Sequence, residues 1–266
     1  MALHGKDGYL KVGSEIVNLT SYSLDQVTET GETTSMGDTW ATHMQGLSDF
    51  SVTAEGKSKK GFNTPAILGT SEALAEFSLA DEGVDYTGGV VITNITETAV
   101  VDDVLTISYT FEGNDANGLT YDATGGTGAA GTSNPIHGKS ITAEWGASPT
   151  SFAGLRGWSI TMSCPVSDST AAAAAASSPA VNGRTKLAGI NTATATVTIL
   201  TPSATDLATL APIAGVLNLG RSATLSDGEY QGTAIRTGIQ TGVDTTGTEI
   251  TVLSFQYTGA VTLAVA

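Results

Sequence analysis

The chain runs through nearly the same series of segments twice. Gly83 to Gly113 reads GVDYTGGVVITNITETAVVDDVLTISYTFEG, and Gly228 to Gly259 reads GEYQGTAIRTGIQTGVDTTGTEITVLSFQYTG: a tyrosine-led strand, a polar turn, then an aromatic-ended strand. Upstream, Thr42 to Leu47 stands before an alternating run as Thr185 to Ile190 does, Thr64-Pro65 and Thr201-Pro202 each open a short helical stretch, and His4-Gly5-Lys6 is echoed by His137-Gly138-Lys139. Paired blocks recurring in one order about 140 residues apart are the mark of a duplicated domain. The expected organisation is one copy over residues 1–113, a Gly, Thr and Asn-rich linker over 114–134, and a second copy over 135–266. At roughly 130 residues, each copy is long enough to bury its own core.

Periodicity defines what the copies are made of. Leu105, Ile107, Tyr109 and Phe111 alternate with Thr106, Ser108, Thr110 and Glu112, and Leu253, Phe255 and Tyr257 alternate with polar neighbours, the period of half-buried strands. The run Asp49 to Glu55 alternates in the same way, and its counterpart Thr192 to Thr198 keeps the alternation while every acid becomes threonine. Helix is expected once per copy, over Glu72 to Phe77 capped by Ser71 and over Asp206 to Leu210 capped by Ser203 or Thr205. Long connections are expected at Asp25 to Ala41 and Ser163 to Arg184; their length and shared position suggest a shared role. The fold class is therefore mainly β, two tandem sandwich-like or barrel-like domains each with one short helix and one long inter-strand loop.

Charge narrows the function. The net charge is -15 and the pI near 4.3, which argues against binding a nucleic-acid backbone, because that affinity comes from Lys and Arg releasing counterions. Up to Ser133 there are 19 acidic and 5 basic residues; from Asn134 onward there are 7 and 6, so the acidity belongs almost wholly to the first copy. The single cysteine, Cys164, permits no internal disulfide and reads as a small buried apolar residue. The amino-terminal stretch has no charged-then-apolar leader, and no apolar run is long enough to cross a bilayer, so neither secretion nor membrane insertion is expected.

Catalytic patterns are missing. His4, His43 and His137 have no ligand-spaced partner, Gly125 to Gly128 lacks the strand and helix that a phosphate loop needs, and Cys164 has no activating base nearby in sequence. Asp81-Glu82 and Asp102-Asp103 fall at turns, where solvation explains them. No catalytic residue, metal ligand or cofactor is expected, and the chain is not read as an enzyme. Tyr22 and Trp158 occupy matching places in TSYSL and RGWSI and are expected in equivalent core positions; Trp40, at the end of the first long connection, is a candidate interface anchor.

The order strand, strand, long loop, alternating strand, helix, hairpin, with GKDGYLKVGSEIVNLTSYSLDQ and the run ending TWATHMQGLSDFSVTAEG, resembles the major tail tube proteins of long-tailed bacteriophages. The resemblance spans nearly the whole chain. It implies a structural virion protein assembled in the host cytoplasm, forming trimeric, pseudo-hexameric rings that stack into a hollow tube through which DNA passes without specific binding. It further implies tape-measure and tail terminator proteins as partners. On this reading Asp49, Ser51, Thr53, Glu55, Thr110 and Glu112, with Thr192, Thr194, Thr196 and Thr198 from the second copy, are candidates to line the lumen, where an acidic or neutral wall repels phosphate. Val27, Met36 and Trp40 are candidates for contact between rings. The alternative is a two-domain β-sandwich adhesin or glycan-binding module.

Overall fold

The structure, a computed structural model, describes residues 9–12, 15–60, 64–78, 85–122, 135–171, 183–200, 213–223, 227–243 and 249–265. The first half contributes β1 (Tyr9–Val12), β2 (Glu15–Glu32), β3 (His43–Lys57), β4 (Ser71–Ser78), β5 (Asp85–Val100), β6 (Thr106–Gly113) and β7 (Thr120–Asp122). The second contributes β8 (Thr142–Gly146), β9 (Thr150–Ser151), β10 (Leu155–Ser163), β11 (Val166–Asp168), β12 (Lys186–Ala188), β13 (Thr192–Leu200), β14 (Ala214–Gly220), β15 (Glu229–Val243), β16 (Glu249–Tyr257) and β17 (Thr262–Ala264). All but β11 and β12 belong to one 15-stranded antiparallel sheet, so the molecule is mainly β.

Both halves are threaded in the same order. In the first, hydrogen-bonded ladders join β2 to β3, β3 to β6, β6 to β5, β5 to β4, β4 to β1 and β1 back to the start of β2, a closed circuit. In the second, ladders join β10 to β13, β13 to β16, β16 to β15, β15 to β14, β14 to β8 and β8 to β9, and β9 leads after three residues into β10. Registers agree as well: Tyr22 lies opposite Ala54 as Trp158 lies opposite Val197, and Val52 faces Phe111 as Ala195 faces Phe255. Even a β-bulge recurs, between Ile92 and Asn94 in β5 and between Arg236 and Gly238 in β15.

Apolar residues from alternate positions of these strands fill a continuous core, including Val52, Ile95, Phe111, Trp158, Ile160, Val197, Leu253 and Phe255. The packing shows a compensation between halves. The Phe50 ring lies so near Gly88 and Gly113 that a Cβ on either would come within 3 Å of it; in the second half alanine (Ala193) replaces that phenylalanine, and the Tyr257 ring covers Gly232 instead. The equivalent glycines Gly88 and Gly232 are thus each covered by one aromatic, donated by different strands.

Three expectations are corrected. The first part of the connection Asp25 to Ala41 is strand: β2 runs to Glu32 and pairs with β3 as far as Glu32 opposite His43, because alternating Val, Thr and Glu side chains suit a ladder that satisfies backbone groups a loop would leave to water. The segment Glu72 to Phe77 is not helix but part of β4, since Glu, Ala and Leu propensity yields to ladders with β1 and β5 on both sides; the first half's helical turn is instead α1 (Thr64–Ile67). Part of the 114–134 linker is strand β7, paired with the start of β5. The Asp206 to Leu210 helix, Gly125 to Gly128, Asp81-Glu82, His4 and most of the alanine run lie outside the described residues.

Candidate assembly surfaces

Alternation places hydroxyls and small polar groups on the face opposite the core. Ser51, Thr53 and Glu55 of β3 stand exposed beside Thr110 of β6, which is half-buried; Thr192, Thr194 and Thr196 of β13 are exposed, with Thr198 half-buried next to them. The face is continuous across the join between halves: Thr96 Oγ1 bonds Thr161 Oγ1 at 3.1 Å, Thr98 Oγ1 bonds Ser159 Oγ at 3.1 Å, and Ser163 Oγ bonds Thr192 Oγ1 at 2.9 Å. The ten predicted lining residues thus share one face of one sheet.

Two of the acids there are not free. Lys186 Nζ donates to Asp49 at 3.0 Å and to Glu112 Oε2 at 2.8 Å, and its backbone N–H donates to Asn114 Oδ1 at 2.6 Å. Partial burial works against the ammonium charge, but its hydrogen bonds to Glu112 and Asp49 more than offset it, holding the Lys186 pKa above the ordinary lysine value. Nothing in sequence ties Lys186 to these acids. Beside it, Arg184 pairs with Glu29 and Asp168, and its N–H donates to Ser48 O at 3.1 Å.

The join itself is a ladder. β5 spends its first part, to Val91, on β4, then from Asn94 to Val100 pairs with β10, Asn94 opposite Ser163 and Val100 opposite Gly157. Ile95, Ala99, Trp158, Ile160 and Met162 are all buried along this seam. Within it, Arg221 Nη2 donates to Glu97 Oε2 at 2.7 Å and to Tyr230 OH at 2.7 Å, and Ser58 Oγ donates to Glu97 Oε1 at 2.7 Å. The Tyr230 hydroxyl also donates to Glu97. A phenol has one proton, so the Thr64 hydroxyl, 2.7 Å away, donates to it. Burial foremost, and then the Glu97 charge, push the Tyr230 pKa well above that of an ordinary phenol; burial opposes the Arg221 charge, yet Glu97 keeps it raised. Sequence inspection missed this cluster, because its members come from positions far apart in the chain.

The corresponding edges elsewhere are open. By register, the Asn94 to Ala99 stretch of β5 corresponds to Gly238 to Val243 of β15, and β10 from Trp158 to Ser163 corresponds to β2 from Tyr22 to Val27. Among the described residues no strand pairs with the outer edge of β15 beyond Ile235 or of β2 beyond Val17. Ile239 is 49 % exposed where its counterpart Ile95 is fully buried, and Tyr22 and Leu24 are half-exposed where Trp158 and Ile160 are buried. The expectation that Tyr22 and Trp158 share a core position therefore holds for register but not for burial.

The outer parts of β2 and β3 form a two-stranded arm, its neck closed by Thr33 N–H donating to Thr42 O at 2.8 Å. Trp40 (83 % exposed), Met36, Met44 and Val27 all project from it into solvent. The second half has the same arm in shorter form: Val166 opposite Ala188 and Asp168 opposite Lys186 repeat Thr30 opposite Gln45 and Glu32 opposite His43. Cys164, at its base, is buried as expected. Among the described residues no group of three or more His, Cys, Asp or Glu gathers as a metal site, and no helix is long and apolar enough to cross a membrane.

No protein-family model matches the chain, and no curated protein matches it. Among solved structures it is similar to a chain of the virion of a native gene transfer agent particle, at 18% identity and a TM-score of 0.37, over 48% of this chain and 98% of that one. A chain from the tail of an empty gene transfer agent particle of C6 symmetry matches at 18% identity and a TM-score of 0.36, over 47% of this chain and 94% of that one.

Proposed function

We propose that this chain is a tail tube subunit: two tandem copies of one tube domain, assembling as trimers into pseudo-hexameric rings that stack around a channel for DNA. The observation that carries the reading is the β5–β10 seam. It is a finished contact between one half and the next, and the edges that would make the same contact again, on β15 beyond Ile235 and on β2 beyond Val17, stand open among the described residues. Such an edge pair is heterologous, so repeating it either closes a ring or runs into an open helix. With two domains per chain, three chains supply six positions.

The continuous Ser and Thr face is assigned to the lumen. A wall of neutral hydroxyls offers phosphate no counterion release, so a DNA strand slides without being held. Lys186 fits this role by cancelling charge at Asp49 and Glu112, leaving Glu55 as the exposed acid of β3. Tape-measure and terminator proteins are the further partners of this reading, the virion is its location, and no catalysis, cofactor or membrane insertion belongs to it.

Negative-stain electron microscopy of the concentrated chain, with mass measurement of its particles, tests the proposal. Hollow rings or filaments with three chains per ring are expected. Particles that stay monomeric at every concentration and also bind glycans would replace the tube with the adhesin.

A further inference from the structure

We infer that the groove of about 490 Å³ between Leu68, Asn191, Ala193, Tyr257 and Gly259 is the seat for the β2–β3 arm of a second copy of this chain, with Trp40 filling it. The inference rests on the ring reading above and adds where the arm goes.

The template lies within the chain. The shorter arm of the second half does not project freely but rests on the first: Gly183 bridges Ser48 and donates its N–H to Ala116 O at 3.0 Å, while Lys186 reaches Asp49 and Glu112. Ladder registers, counted on residue by residue past the strand ends for Ala116, Gly183 and Arg184, convert every member of this contact. Ser48, Asp49, Glu112 and Ala116 correspond to Asn191, Thr192, Gln256 and Ala260, all at or beside the groove; Gly183, Arg184 and Lys186 correspond to Trp40, Ala41 and His43 on the longer arm.

Both sides change together between the two surfaces. Where the acceptor carries two carboxylates, the arm brings a lysine; where it carries Thr192 and Gln256, the arm brings His43. Size follows the same rule. Gly183 sits so tightly against the turn at Asp115 and Gly118 that an added Cβ would lie 2.1 Å from a carbonyl oxygen. At the groove the corresponding turn holds Gly259, whose Cβ position has no atom within 4 Å, and the corresponding arm residue is an indole. The groove is lined by apolar groups, exposed Ile190 stands at it, and the buried hydroxyl of Tyr257 in its wall has no partner among the described residues. On this template Trp40 and Val27 belong to the lateral contact within a ring, Val27 falling opposite Gly238, and Met36 at the tip is left for the ring above.

Trp145 and Trp158 are buried, so acrylamide quenching of tryptophan emission reports mainly on Trp40. Quenching is expected to fall several-fold when rings form, and Trp40→Ala is expected to raise the concentration needed for rings at least tenfold. An Ala41→Cys, Asn191→Cys double variant, oxidised after assembly, is expected to run as a covalent band of three chains. Rings that form with Trp40 still quenched as in the monomer, or a cross-linked ladder extending past three chains, overturn the seat and leave the ring reading standing. Wild-type chains that never form rings overturn both.

Discussion

The β5–β10 seam and the edges of β15 and β2 that stand open among the described residues match in register but not in surroundings. Along β5 and β10, Ile95, Glu97, Ala99, Trp158 and Ile160 are buried, and a carboxylate is held by an arginine, a tyrosine and a serine. Along β15 and β2 the corresponding Ile239, Thr241, Tyr22 and Leu24 meet solvent, and threonine replaces Glu97. On the proposed ring, the difference separates a permanent contact from a reversible one. A buried ion pair is costly to break once its partner is in place, which suits a contact made once as the chain folds. A hydroxyl and a half-exposed isoleucine suit a contact between separate molecules, which must form without stranding a charge.

The sharpest way to break that contrast is at Glu97. Arg221→Met leaves a buried carboxylate without its cation and is expected to cost about 3–5 kcal/mol in denaturant unfolding, with the Glu97→Leu, Arg221→Met double variant recovering much of the loss. If the single and double variants were equally destabilised, the seam would be held by packing alone. Ile239→Lys acts on the open edge: the monomer should melt unchanged, while ring assembly should need at least tenfold more protein, because losing about 1.4 kcal/mol per contact shifts an association constant by that factor. Sedimentation against concentration measures it.

Smaller effects are expected at the polar face. Lys186→Met should lower stability by about 1 kcal/mol, a modest figure because Asp49 and Glu112 remain about a third exposed. The Lys186 pKa is raised in the folded state, so its contribution is complete below the unfolded lysine value near 10.4 and is lost as pH climbs through the higher folded value. Melting curves of wild type and Lys186→Met should therefore differ by a constant amount at pH 7 to 9 and converge in stronger alkali. Smallest of all, Thr194→Lys with Thr196→Lys should change stability by less than about 0.5 kcal/mol, yet assembled rings should retain DNA at low salt and release it as salt rises. Rings that ignored DNA in both forms would overturn the assignment of this face to the DNA channel.

Much of the strand content could be read from alternation. Thr192 to Thr198 and Thr106 to Glu112 fall in β13 and β6 with their apolar positions inward, and the ten proposed lining residues do share one face. Trp40 stood out as a candidate anchor and is exposed. Reading failed where propensity and context disagreed: the helix-forming Glu72 to Phe77 became a strand because β1 and β5 each offered an unpaired edge, and Asp25 to Glu32 became half of an arm because β3 could be its partner.

By itself, the sequence determined the period of the strands and which side chains share a face, because alternation is local and survives without knowledge of contacts. Tertiary structure alone decided that Lys186 cancels Asp49 and Glu112, that Glu97 meets Arg221 and Tyr230, and that one pair of edges is sealed while its counterparts stay open. Those partners are brought together by ladders between distant strands, and a ladder's register depends on the whole sheet closing, which no short stretch of residues encodes.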